Sequence, residues 1–151
     1  NEDDAVVASV SPRLLSPKHP LYNVSDVVNG ILVRGNMVGD LVFIGSGAGK
    51  LPTASAVVSD VVDSVRHLNV STTVMWEEEK LELEDFSKSK KRFFVRTSAS
   101  KDKVATVFDN VDYVDAGIAG ETGFVTEKMS EEKFAAKAEE LGIISRIRVE
   151  E

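Results

Sequence analysis

No cysteine occurs in these 151 residues, and histidine occurs only twice, at His19 and His67. The first absence excludes disulfide frameworks and thiol nucleophiles, and together they remove nearly every zinc site, so no metal is expected. A reducing, cytoplasmic setting fits. No apolar run approaches the roughly 18 residues of a membrane-spanning helix, and no charged-then-apolar leader opens the chain. A soluble protein without a membrane partner is expected. Positive charge is also short: 18 Lys and Arg stand against 25 Asp and Glu, for a net charge of −7. An acidic surface repels phosphate backbones, and no basic stripe with interleaved aromatics offsets it, so nucleic acid is not an expected partner. What the chain does have is 42% hydrophobic residues, enough to build a core and to exclude a disordered chain.

The chain begins Asn1-Glu2-Asp3-Asp4, without Met, and enters a strand-like run at once. It therefore reads as a piece of a longer protein. Charge is unevenly spread: residues 1–70 hold five basic and seven acidic side chains, and residues 71–151 hold thirteen and eighteen, so −2 and −5 of the total fall to each part. A sparsely charged, Val- and Gly-rich half followed by a densely charged one implies two contexts, the first buried against something else and the second self-contained. The expected division is residues 1–70, a polar linker 71–90 with a short strand or turn near Trp76 to Leu83, and residues 91–151. Trp76 is either an anchor of that linker or core.

In the first part, Ala5 to Val10 reads as a strand ended by Pro12. Two prolines make Ser16 to Pro20 a loop. Ile31 to Arg34 and Val38 to Ile44 read as a hairpin turning at Gly35-Asn36. Val57, Val58, Val61, Val62, Val65 and Leu68 fall on one helical face, and Pro52 suits that helix's first turn. The second part reads as strand Arg92 to Ser98, helix Asp102 to Val111, strands Tyr113 to Ile118 and Gly123 to Lys128, helix Glu131 to Leu141 capped by Ser130 and stopped by Gly142, and strand Ile143 to Glu150. That order, β-α-β-β-α-β, predicts a ferredoxin-like unit, so the fold class is α+β.

One segment looks like chemistry. Gly45-Ser46-Gly47-Ala48-Gly49 follows a strand and precedes a helix, where bare backbone admits a ligand and free helix N–H groups face a polar or anionic group. It is not a Walker loop, because Lys50 is followed by Leu51, and its G-x-G-x-G spacing is not the Rossmann fingerprint. A tight turn that only packs a helix on a sheet remains the alternative. His19 and His67, far apart in sequence and without an orienting partner, read as structural. Asp60 and Asp63 read as a solvated helix face.

Pro17-Lys18-His19-Pro20-Leu21, Asn29-Gly30, Gly35, Val38-Gly39-Asp40-Leu41 and, above all, Gly45-Ser46-Gly47-Ala48-Gly49 with Pro52-Thr53-Ala54-Ser55-Ala56-Val57 and Asp60 resemble the closing part of the catalytic region of homoserine dehydrogenase, over about residues 5–66. The resemblance implies an NAD- or NADP-dependent oxidoreductase interconverting L-homoserine and L-aspartate 4-semialdehyde in threonine and methionine biosynthesis. It implies part of a mixed α/β substrate domain in residues 1–70, followed by an ACT-type regulatory or oligomerisation domain in residues 91–151. Its Rossmann domain and catalytic side chains would lie upstream of Asn1, so no catalytic residue is expected in this chain. Gly49, and less directly Gly47, would approach the cofactor. The expected partners are the upstream domains of the same protein and further copies in a homo-oligomer. Departures from the family pattern stand at Gly30, Asn36 and Ser46. Thr97 to Lys103 lacks the glycine at which ACT domains meet an amino-acid effector, which counts against one such as threonine. A non-catalytic amino-acid-sensing or oligomerisation module is the alternative function.

Overall fold

The computed structural model describes residues 6–70, 75, 76, 78, 80 and 82–150. The chain divides into two compact units, Asn1–Ser16 with Glu79–Glu151, and Pro17–Glu78.

The first unit is a sheet with two helices. Its elements are β1 (Arg13–Leu15), β4 (Lys90–Thr97), α2 (Lys101–Val107), β5 (Val111–Val114), β6 (Thr122–Thr126), the two-residue β7 (Met129–Ser130), α3 (Glu131–Ala138) and β8 (Ile143–Glu150). The sheet order is β1-β8-β4-β6-β5, with β7 on β4; β1 runs parallel to β8 and the remaining pairs are antiparallel. From β4 onward this is the expected split β-α-β arrangement. Alternation along β4 buries Phe93, Val95 and Thr97. Helices α2 and α3 contribute Val104, Val107 and Phe134, and Phe108 follows α2. Phe134 stacks on Phe93 with ring centroids 4.3 Å apart, and Phe108 meets Phe124 at 5.4 Å. Fully burying each of these rings is worth about 1.5–3 kcal/mol. Ser100 and Ser130 cap the two helices, each accepting from the backbone N–H three residues on, at 3.3 and 3.2 Å. Gly142 takes φ 58 in the turn after α3.

Several boundaries differ from expectation. Of the run expected as a strand from Ala5 to Val10, Ala5 lies outside the described residues and residues 6–10 form no strand: only Val6 makes a bridge, to Leu83. Strand β1 instead follows Pro12 and belongs to the sheet of the second half, because β8 offers an open edge and Arg13 pairs with Glu150. Branched side chains favour a strand only where a neighbour exists to pair with. Helix α2 ends at Val107 because Phe108, at φ −117, has already turned into the strand region. Strand β5 stops at Val114, before the turns carrying Gly117 and Gly120 at positive φ. Trp76 is 86% exposed and is not core.

The second unit holds a hairpin, β2 (Val28–Gly35) with β3 (Gly39–Ser46), and one long helix, α1 (Lys50–Arg66). The turn is three residues, not two: Gly35 pairs with Gly39, and the positive φ of 74 sits at Gly39. Gly35 serves space instead, since a Cβ there would stand 2.7 Å from Val38 Cγ1. No residue of α1 is buried, and every position of β3 is exposed. The valine face predicted for α1 forms, but it lies open: Val57, Val58, Val61, Val62 and Val65 are all exposed.

Candidate functional site

The hairpin's register builds the site. Asn29 pairs with Gly45 and Ile31 with Phe43, and alternate residues share a face. A broad cavity of about 380 Å³ opens beside this stretch, lined by Ile31, Phe43 and Ile44 together with Asn29, Gly45, Ser46 and Gly47.

Beyond Ser46 the chain crosses Gly47 and Ala48, and Gly49 stands immediately before α1. Gly49 takes φ 112 and ψ 155, a conformation open essentially to glycine alone. Space is not the reason, because a Cβ there would meet only Pro52 Cδ, at 3.7 Å. Gly47 is the reverse case. Its φ is not positive, but an added Cβ would collide with the Asn29 amide nitrogen and stand 3.2 Å from Asn29 Cγ. Gly45 has neither constraint: its φ is ordinary and a Cβ would meet nothing within 4 Å.

The helix start is left open. The Gly49 carbonyl accepts the first helical bond from Thr53 N–H at 3.2 Å, no side chain caps the end, and no acid stands in the first turn. The first amides therefore keep their hydrogen-bonding capacity and the positive end of the helix dipole is uncompensated. Chemically this is bare backbone beside a weakly positive helix end, suited to close approach by a polar or anionic ligand.

The remaining candidates stand apart from the loop. His19 is buried, its Nδ1 accepts from Leu21 N–H at 3.2 Å, and its carbonyl accepts from Tyr22 N–H at 2.9 Å, so it closes a turn. His67 is exposed at the far end of α1, with Nδ1 3.0 Å from Asp63 O and 3.2 Å from Asp63 Oδ1. Asp60 and Asp63 are exposed on α1. Among the described residues no group of three His, Asp or Glu could hold a metal ion, and no helix is long and apolar enough to cross a membrane.

Asn29, which the sequence marks only as part of the family pattern and not as a site residue, is brought to the loop by the hairpin register. The expected two-residue turn at Gly35-Asn36 would set Asn29 opposite Val42, away from the loop; only the three-residue turn brings it to Gly45.

In the other unit, the segment following β4 uses its polar groups internally. Ala99 O accepts from Thr122 Oγ1 at 2.7 Å, Lys101 O from Tyr113 Oη at 3.0 Å, and Leu141 O from Thr97 Oγ1 at 2.8 Å.

Residues 3–62 match the homoserine dehydrogenase family. This stretch is similar to that family. The homoserine dehydrogenase of Synechocystis sp. is 48% identical over 64 residues, which are 42% of this chain and 15% of that protein. The Corynebacterium glutamicum homoserine dehydrogenase is 48% identical over 63 residues, 42% of this chain and 14% of that protein. The NAD(+)-dependent homoserine dehydrogenase of Pseudomonas canavaninivorans is 38% identical over 73 residues, 48% of this chain and 20% of that protein. Among solved structures, a homoserine dehydrogenase from Thiobacillus denitrificans shares the fold over 93% of this chain and 38% of its own, with TM-score 0.75 and 23% identity. One from S. aureus does so over 92% and 36%, with TM-score 0.63 and 25% identity. The chain thus spans well under half of the homoserine dehydrogenases it resembles, and the structural likeness extends past residue 62.

Proposed function

We propose that the chain is the C-terminal portion of an NAD(P)-dependent homoserine dehydrogenase, which interconverts L-homoserine and L-aspartate 4-semialdehyde. In this reading residues 1–70 complete the catalytic domain, 71–90 link, and 91–151 form an ACT-type domain. The family match over residues 3–62 supports the first of these parts, whereas compaction places Asn1–Ser16 with the appended sheet. The observation that carries the reading is Gly49: a glycine-only conformation, in the family's matched segment, at an uncapped helix start. Gly49 and Gly47 would face the cofactor, which supplies hydride transfer when bound. The chain's own contribution is a backbone surface without side chains at that point, and a helix end that tolerates negative charge.

The test uses the dehydrogenase with its nucleotide-binding region present. Gly49→Val should raise the KM for the cofactor at least about tenfold by forcing the backbone from φ 112; an unchanged KM overturns the cofactor role. Homoserine turnover by the 151-residue chain alone would sink the reading, since its acid–base groups are assigned to the missing region.

For residues 91–151 the internally bonded carbonyls of Ala99 and Lys101 favour pairing over sensing. Calorimetric titration with threonine and methionine should be flat while sedimentation shows a stable oligomer. Heat of binding from either amino acid would reverse that assignment.

A further inference from the structure

The cofactor-side loop has a second requirement besides its glycines, and Asn29 supplies it. We infer that Asn29 is a positioning residue that sets the path of the loop Gly45 to Gly49 by filling the space a side chain at position 47 would need. The inference rests on the proposed cofactor role of that loop. Three observations meet at this point. The ladder fixes the Asn29 backbone opposite Gly45, so the root of its side chain is held beside the loop. The three atoms nearest an added Cβ at Gly47 all belong to the Asn29 side chain, with Cγ at 3.2 Å and Cβ at 3.7 Å. Gly47 has no positive φ, so conformation does not explain its glycine.

The two glycines therefore act differently. Gly49 permits the backbone turn into α1, while Gly47 leaves room for Asn29, whose amide spans from β2 to the stretch leaving β3. The amide also lines the 380 Å³ cavity beside Ile31 and Phe43, where Ser46 is the other polar side chain. Displacing it would move the loop relative to a fixed strand.

A double-mutant cycle in the dehydrogenase with its nucleotide-binding region tests this. Gly47→Ala should raise the cofactor KM about tenfold with a smaller change in kcat, and Asn29→Ala should raise it about three- to tenfold. Adding Asn29→Ala to Gly47→Ala should then bring the KM back to within about twofold of Asn29→Ala alone. Multiplicative effects, with no relief in the double variant, overturn the inference even where Gly49→Val confirms the cofactor role. In the 151-residue chain itself, Asn29→Ala should shift the backbone amide resonances of Ser46 to Ala48 and leave those of Phe93 and Phe124 in place. Unmoved loop amides overturn the positioning role without reference to cofactor. An unchanged KM in Gly49→Val, with the loop amides shifted, removes the cofactor reading and leaves Asn29 as the loop's positioning residue.

Discussion

Gly47 and Gly49 stand two residues apart and resist substitution for opposite reasons, which separates them experimentally. At Gly49 any Cβ is penalised by backbone conformation, about 1–3 kcal/mol, so Ala and Val should both destabilise the loop. At Gly47 the penalty depends on a neighbour that can be removed. In the appended unit, Arg96 Nε donates to Glu121 Oε2 at 2.7 Å, and this bond is the first cause holding the Glu121 carboxyl below its ordinary value. A depressed carboxylate stabilises the fold above its unfolded pKa, and that contribution disappears as pH falls through the lower folded value. The difference in urea midpoint between the native chain and Glu121→Gln should therefore be constant near neutrality and narrow below about pH 4. A difference that widens on acidification would contradict the pairing. The same bond raises Arg96 beyond any working pH, so it adds no titration of its own.

Among the elements, α1 and α3 show how similar apolar patterns reach different fates. On α3, Phe134 is buried against Phe93 and Phe108, so Phe134→Ala should cost about 3–5 kcal/mol, read as a lower urea midpoint. On α1, valines at helical spacing reach solvent; Val61 is 57% exposed. Val61→Ser should leave the denaturation midpoint of this chain within error while weakening the assembly of the proposed full-length dehydrogenase, in which the face is expected to be covered. The hairpin repeats the pattern, with Phe43 and Ile44 both 60% exposed. Periodicity revealed that α1 has an apolar face, but it could not reveal whether a neighbour covers it. Strand β1 makes the complementary point: three residues with no strong signal pair because an edge is present, while the more β-prone run before Pro12 has only one bridge among its described residues.

For the whole molecule, among the described residues, the buried apolar ones all belong to the unit that ends the chain, and the unit holding the glycine loop buries only His19 by the same measure. Local opening is easiest where few apolar groups are buried. Hydrogen exchange should find the slowest amides at Phe93, Val95 and Phe124 and fast exchange along α1. Equal protection in both units would show that residues 17–78 form an independent core. Exposed apolar area on this scale also marks a surface that functions covered, in keeping with a chain that spans 38% of the Thiobacillus denitrificans homoserine dehydrogenase whose fold it shares.

The sequence by itself determined the β-α-β-β-α-β order, the cap at Ser130, the helix after the glycine loop and the resemblance to homoserine dehydrogenase, because spacing, caps and motifs are local properties. The two histidines contact their own neighbourhoods, His19 at Leu21 and His67 at Asp63. Only the tertiary structure decided that the hairpin turns over three residues and so carries Asn29 to the glycine loop. It alone placed β1 in the appended sheet and left the valine face of α1 open. Each of these depends on which groups meet across distant parts of the chain, and that information resides in pairing register and packing, where a shift of a single residue changes every neighbour.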